Sequence, residues 1–301
     1  MAMTAPIELT LGPLFFNWPV QTLADFYARI ADESVINRVY VGEVVCGKRS
    51  PLVESTLVDA AERLERAGKT AVWSTLCSPT NKRERSATAS LSTFDAEIEV
   101  NDIGALAARN GRPFTAGPML NIYNETALAA LQDEGCTRWC PPVEMSLAAI
   151  RAVHAARPDM PIEVFGFGRL PLAHSGRCYH ARFHSLNKDS CRYFCEEDPD
   201  GKTVSTVDGA PFLAFNGLQT LSDGVHLATT PSFDLRRVGI AAVRLSPHSV
   251  DMVRVAAAFR HFLDDQIAPL ELKNSLKADV LDRPVINGYL GGRPGMEWST
   301  Q

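Results

Sequence analysis

The segments NRVYVGEVV (Asn37–Val45), LVESTLVDAAERLERAG (Leu52–Gly68) and TAVWSTL (Thr70–Leu76) follow one another with short links. The first and third are rich in β-branched and aromatic residues, as strands are. The middle one sets Leu57, Ala60, Ala61 and Leu64 on one helical face, with Gly68 as a stop signal. A strand, a helix and a second strand in such close succession form a βαβ unit with parallel strands.

The same rhythm extends outward from these segments. Before them come a predicted strand, IELTLGPLFF (7–16), and an amphipathic helix, VQTLADFYARIADES (20–34). After them come a helix-like RERSATASL, then AEIEV, IGALAARNG, PFTAGPMLNIYN, ETALAALQDEG, CTRWCPP, SLAAIRAVHAAR and PIEVFGF (161–167). GIAAVRL and VDMVRVAAAFRHFLDDQ add a last strand and helix. With no Gly-rich phosphate turn after the first strand, this succession predicts a closed α/β barrel of the TIM type rather than a doubly wound sheet.

One barrel-like domain is expected over 1–301, with an irregular insertion at 176–235 near its last strands. The insertion holds the polar turn EEDPDGKT and short β-like pieces, TVSTV and PFLAF. The tail NGYLGGRPGMEW (287–298) reads as a loop.

Apolar residues are 46% and charged residues 22% of the 301, a globular balance that excludes a disordered chain. The net charge of −5 gives no global attraction to nucleic acid or anionic membrane. Lys82, Arg83 and Arg85 in NKRER read as a solvated helix face. The N-terminal MAMTAPIELTLGPLFFNWP lacks a basic leader and is interrupted by Pro13, Asn17 and Pro19, so a cytoplasmic location is expected.

In parallel barrels, chemistry sits at the C-terminal strand ends. Those positions carry Asn17, Glu43, Cys46, Asn121, Asn124, Cys140, Glu144, Phe165, His174 and Arg244. Asn124 before ETALAAL and Ser146 before LAAI also suit helix N-caps. The motifs G-x-S-x-G, H-E-x-x-H, G-x-x-x-x-G-K-S/T and G-x-G-x-x-G are missing from the sequence.

The segment CYHARFHSLNKDSCRYFCEED (Cys178–Asp198) holds three of the seven cysteines and two histidines. In a reducing compartment, clustered cysteines point to metal rather than to disulfides. Cys178, Cys191 and Cys195 suit an iron–sulfur cluster that takes a fourth thiolate from Cys46, Cys136 or Cys140. A zinc site using His180, His184, Cys191 and Cys195 is the competing reading, and Cys77 reads as simple burial.

The run EVFGFGRLPLAHSGRC (Glu163–Cys178), followed by CRYFC, resembles the signature of the collagenase-like peptidase family. VYVGEVVCGKR, GPMLNIYNETAL and the tail NGYLGGRPGMEW extend the resemblance over nearly the whole chain. It is strongest to the branch that serves anaerobic ubiquinone biosynthesis. That resemblance implies a four-iron, four-sulfur (4Fe-4S) cluster held by Cys46, Cys178, Cys191 and Cys195, with His180 and His184 as neighbours.

It also implies a heterodimer with a paralogous family member, working among quinone-precursor biosynthesis proteins. The pair would hydroxylate the aromatic ring of ubiquinone precursors without oxygen, drawing on an organic donor such as prephenate. Four thiolate ligands close each iron to substrate, so an electron-transfer or accessory role is expected for this chain. Glu43, Asn121, Glu144, His174 and Arg177 are the candidates for a residual substrate pocket. RNA-base hydroxylation and a purely structural cluster are the alternatives, and proteolysis is disfavoured because no nucleophile–base motif is present.

Overall fold

The structure is a computed structural model that describes residues 6–299. The first five residues of the N-terminal stretch read above, with Thr300 and Gln301, lie outside the described residues.

Seven parallel strands follow in order: β1 (Glu8–Leu11), β2 (Arg38–Val41), β3 (Thr70–Ser74), β4 (Ile98–Val100), β5 (Phe114–Ala116), β6 (Cys136–Trp139) and β7 (Ile162–His174). Three more strands come next, β8 (Lys202–Ser205), β9 (Pro211–Asn216) and β10 (Gln219–Leu227), and then β11 (Ile240–Leu245) and β12 (Val285–Ile286). β11 pairs in parallel with β7 on one side and β1 on the other, so eight strands close a barrel as the alternation predicts. Val243, for example, sits opposite Leu9 and Val164.

The barrel strands are linked through α1 (Val20–Glu33), α2 (Ser50–Arg66), α3 (Lys82–Ser92), α4 (Leu106–Arg109), α5 (Glu125–Asp133) and α6 (Leu147–Ala156). Further along are α7 (Tyr179–Phe183), α8 (Ser232–Arg237), α9 (Met252–Leu263) and α10 (Pro269–Ser275). α2 buries Leu57, Ala60, Ala61 and Leu64 as its periodicity requires. No helix among the described residues is long and apolar enough to cross a membrane.

Two departures from the sequence reading shape the site. β2 stops at Val41 rather than Val45, because Gly42 turns with φ +133°, and a Cβ there would lie 2.7 Å from the Ser74 carbonyl oxygen. Only glycine makes that turn, and it releases residues 43–49 as a loop. β7 runs seven residues past Phe167 to His174, and its outer half pairs antiparallel with β10. β10 pairs with β9 and β9 with β8. The segment expected to be irregular therefore carries an antiparallel ribbon grown from a barrel strand, with α7 beside it.

The barrel interior is ionic where such barrels are ordinarily filled by branched apolar side chains. Arg244 is fully buried, with Nε 2.6 Å from Glu163 and Nη1 2.5 Å from Glu99. Glu163 also accepts from Thr10 (2.9 Å), Tyr40 (2.8 Å) and Arg138 (2.9 Å). Arg244, expected as a strand-end site group, is instead a core ion whose guanidinium lies 4.0 Å from the Tyr40 ring centre. Burial would raise the Glu163 carboxyl, but Arg244 and Arg138 overcome it and hold it at about 2.

A depressed folded-state pKa stabilises the fold above the unfolded value, and that contribution is lost as pH falls through the folded value. For Glu163 the loss falls between about pH 4.5 and 2. Urea unfolding across that range should show Glu163→Gln less stable than wild type at neutral pH, with a shallower acid decline. Parallel acid limbs in the two proteins would contradict this. Arg244→Leu, which leaves Glu99 without its cation and Glu163 with Arg138 alone, should cost about 3–5 kcal/mol.

Candidate metal centre

The loop after β2 is folded by its own side chains. Glu43 Oε1 accepts the N–H groups of Val45 (2.8 Å) and Cys46 (2.9 Å). The Arg49 N–H then donates to the Cys46 carbonyl at 2.8 Å, just before α2 begins. Cys77 N–H donates to the Val44 carbonyl at 2.9 Å, tying the loop to the end of β3.

The other wall comes from the insertion. Cys178 caps α7, its sulfur accepting the Ala181 N–H at 3.4 Å. Arg192 and Tyr193 are both left-handed, at φ 50° and 58°, which reverses the chain between Cys191 and Cys195. Such conformations cost non-glycine residues about 1–2 kcal/mol each. Lys48 Nζ donates to the carbonyls of Lys188 (2.8 Å) and Asp189 (2.9 Å), and the Tyr193 hydroxyl donates to the Lys48 carbonyl at 3.3 Å. These bonds stitch the loop to the insertion.

Between the two walls, Cys46, Cys178, Cys191 and Cys195 line one pocket together with Lys48, Arg49, His180, Lys188, Tyr193 and Phe194. All four are free thiols, and three of them are buried. Burial works against the Arg49 charge, but Glu43 and the sulfurs of Cys195 and Cys46 beside it hold the guanidinium protonated. Its Nη2 donates to Asn216 at 2.6 Å and its Nη1 to the Phe15 carbonyl at 3.3 Å. Gly217, at φ +67°, makes room for it, since a Cβ there would lie 2.4 Å from Nη2.

Burial pushes the Cys46 thiol up to about 11 against the pull of Arg49, and raises Cys178 as well. Such thiols keep their protons at neutral pH unless a thiophilic metal takes the proton's place. The donor set is therefore four soft sulfurs with Arg49, Lys48 and Lys188 close by to offset thiolate charge, and it fits an iron–sulfur cluster. Among the described residues, no group of three or more Cys, His, Asp or Glu side chains gathers closely enough to hold a single metal ion.

Neither histidine of the insertion is a ligand in this arrangement: His180 is hydrogen-bonded at both nitrogens, and His184 does not line the pocket. His180 Nε2 lies 2.8 Å from Asp198, and its Nδ1 accepts the Gly217 N–H at 3.3 Å, so both ring nitrogens are taken. His184 stacks on Phe194, with ring centres 4.1 Å apart. Cys136 points at the Arg138 carbonyl (3.1 Å), Cys140 is buried beside Arg244, and neither lines the pocket.

The five substrate-pocket candidates are not gathered together. Glu43 reaches cavities on either side of α2. Asn121 is exposed and left-handed, Glu144 is exposed and accepts the Tyr123 hydroxyl, and Arg177 is exposed. His174 Nδ1 lies 3.2 Å from the Cys77 sulfur. Burial drives that thiol up to about 12 and that imidazole down to about 4, the neutral pair rather than the activated thiolate a cysteine nucleophile needs. Asn124 and Ser146 cap α5 and α6. Asn17 is buried beside α2, and Phe165 packs near His226 inside the barrel.

The sequence reading passed over Arg49, Lys48, Lys188 and Gly217. The basic pair directly after Cys46-Gly47 and the Asn-Gly turn at 216–217 were the available signals.

The sequence profile of peptidase family U32 matches residues 18–300. The chain belongs to peptidase family U32. Among solved structures, phospho-2-dehydro-3-deoxyheptonate aldolase (DAHP synthase) from Thermotoga maritima is 12% identical at TM-score 0.42, over 93% of this chain and 71% of that one. A truncated 3-deoxy-D-arabino-heptulosonate 7-phosphate synthase from Thermotoga maritima is 14% identical at TM-score 0.41, over 93% and 89%. At so low a likeness neither carries an argument, and the barrel of this U32 chain rests on its own strand pairing.

Gly217→Ala should lower unfolding stability by about 1–2 kcal/mol from the left-handed backbone alone. Because the new methyl also displaces Arg49, Cys46 and Cys195 should react faster with a thiol reagent than in wild type. Unchanged stability and labelling would show that Arg49 does not depend on this glycine.

Proposed function

We propose that this U32 protein is an iron–sulfur protein of the UbiV type. It would act with a paralogous family member in the oxygen-independent ring hydroxylation of ubiquinone precursors. The observation that carries the reading is the meeting of four free cysteines from segments some 130 residues apart in one pocket with three cations.

A 4Fe-4S cluster supplies one-electron transfer. The protein's own part is to hold four thiolates and offset their charge with Arg49, Lys48 and Lys188. A zinc ion needs its donors around one point, whereas a cubane spreads four thiolates around a larger body. Four cysteines lining one pocket, with no histidine nitrogen left free at His180 to join them, support the latter. Since all four ligands are protein thiolates, the chain suits electron transfer or support of a partner that carries the hydroxylation site.

Deleting the gene should lower quinone in anaerobic growth and leave aerobic growth unaffected. A plasmid copy should restore it, and a Cys46→Ala copy should not. Unchanged quinone with altered RNA hydroxylation would overturn the proposal in favour of a base-modifying role. Rescue by Cys46→Ala would remove the cluster from the function.

A further inference from the structure

Asn17 is an amide in an apolar place. It lies six residues past the end of β1, and only 2% of it is exposed. Leu14, Phe16, Trp18, Leu23, Val53 and Leu57 line the same hollow, of about 20 Å³. Its Nδ2 is buried and has no hydrogen-bond partner among the described residues. A leucine would suit such a setting, and a buried donor left alone costs more than a hydrogen bond returns. The amide calls for a partner that is not a side chain of this protein.

Glu43 is the one ionic group that lines the hollow. Its Oε1 takes the N–H groups of Val45 and Cys46, and its Oε2 accepts none among the described residues. The hollow therefore joins a free amide donor to a free carboxylate acceptor. A cation there would meet the amide protons and Arg49, which lies 4.0 Å from Glu43. An anion would meet Glu43 itself. A neutral molecule that both accepts and donates satisfies the two groups, and the volume admits one of water's size.

The backbone on either side of Asn17 is held. The Phe15 carbonyl accepts from Arg49 at 3.3 Å and from Gln219 at 2.6 Å. The Trp18 indole N–H donates to the Pro199 carbonyl of the insertion at 2.7 Å. Asn17 is thus a fixed post between the two walls of the metal centre.

We infer that an ordered water in this hollow bridges Asn17 Nδ2 to the Glu43 carboxylate, making Asn17 a positioning residue for Cys46. The bridge rests on the hollow and its two polar groups; that Cys46 ligates a metal rests on the proposed function. The water accepts from the amide and donates to Oε2, while Oε1 holds the Cys46 N–H. A carboxylate held at both oxygens does not rotate, so the turn that presents Cys46 stays fixed.

A high-resolution crystal structure of the full chain should show a water within hydrogen-bond distance of Asn17 Nδ2 and a Glu43 oxygen. In metal-free protein, Asn17→Leu should speed iodoacetamide alkylation of Cys46 about fivefold, the equivalent of one net hydrogen bond, with Cys136 unchanged. Asn17→Ser keeps a donor and leaves room for a second water, so it should return the wild-type rate. A merely structural role would speed Cys46 and Cys136 together, through global unfolding, and would overturn the inference. So would a dry hollow in the wild-type crystal, or an unchanged Cys46 rate in Asn17→Leu. Where Asn17→Leu does not fold, the wild-type crystal alone decides. Iron analysis of the same preparations separates the two readings. A bridging water and protected Cys46 without iron keep the bridge and remove the cluster, and iron with a dry hollow does the reverse.

Discussion

The buried guanidinium of Arg49 is where three remote parts of the chain meet. It bonds the carbonyl of Phe15 after β1, lies 4.0 Å from Glu43 in the loop after β2, and bonds Asn216 at the end of β9. Cys46 and Cys195 lie against its remaining side. Asn216 in turn donates to the carbonyls of Cys195 and Asp198. A buried cation of this kind is costly unless its surroundings are negative. The Glu43 carboxylate supplies part of that, and the proposed cluster's four thiolates would supply the rest, so metal ligation and the anchoring of the insertion would be two effects of the same charge balance.

The barrel supports this arrangement by being rigid elsewhere. Glu163, Glu99, Arg244, Arg138 and Tyr40 lock the strands from within, and the Glu that opens the segment resembling the family signature is one of these core ions rather than a group exposed to substrate. The same strand, β7, leaves the barrel as the first strand of the ribbon. Cys178 follows four residues after its end, so Glu163 of the core network and one of the four pocket cysteines lie on one continuous stretch of chain.

Much of the fold was legible because the eight barrel strands and most of the helices between them differ in hydrophobic period, and the period is local. What was not legible depends on distant contacts. The end of β2 at Val41 follows from how close Gly42 comes to Ser74, a neighbour on another strand. β7's extension was hidden by its Gly and Pro residues, which read as punctuation. Three clustered cysteines suggested a metal through spacing, which left the fourth ligand open; the family resemblance named Cys46, and the fold brings Cys46 to the same pocket and leaves Cys136 and Cys140 elsewhere. The strand-end list failed for Arg244 because a strand end on paper can point inward. In α3 only the packing shows that Ala87, Leu91 and the following Phe94 line an open groove.

The central claim is that Cys46, Cys178, Cys191 and Cys195 hold a 4Fe-4S cluster. Iron, sulfide and zinc analysis of anaerobically purified wild type, Cys46→Ala and Cys136→Ala tests it most directly. The account predicts about four irons and four sulfides per chain in wild type, with a broad thiolate-to-iron absorption band. It also predicts loss of iron in Cys46→Ala and retention in Cys136→Ala. Stoichiometric zinc without iron, or iron kept by Cys46→Ala and lost by Cys136→Ala, would contradict it.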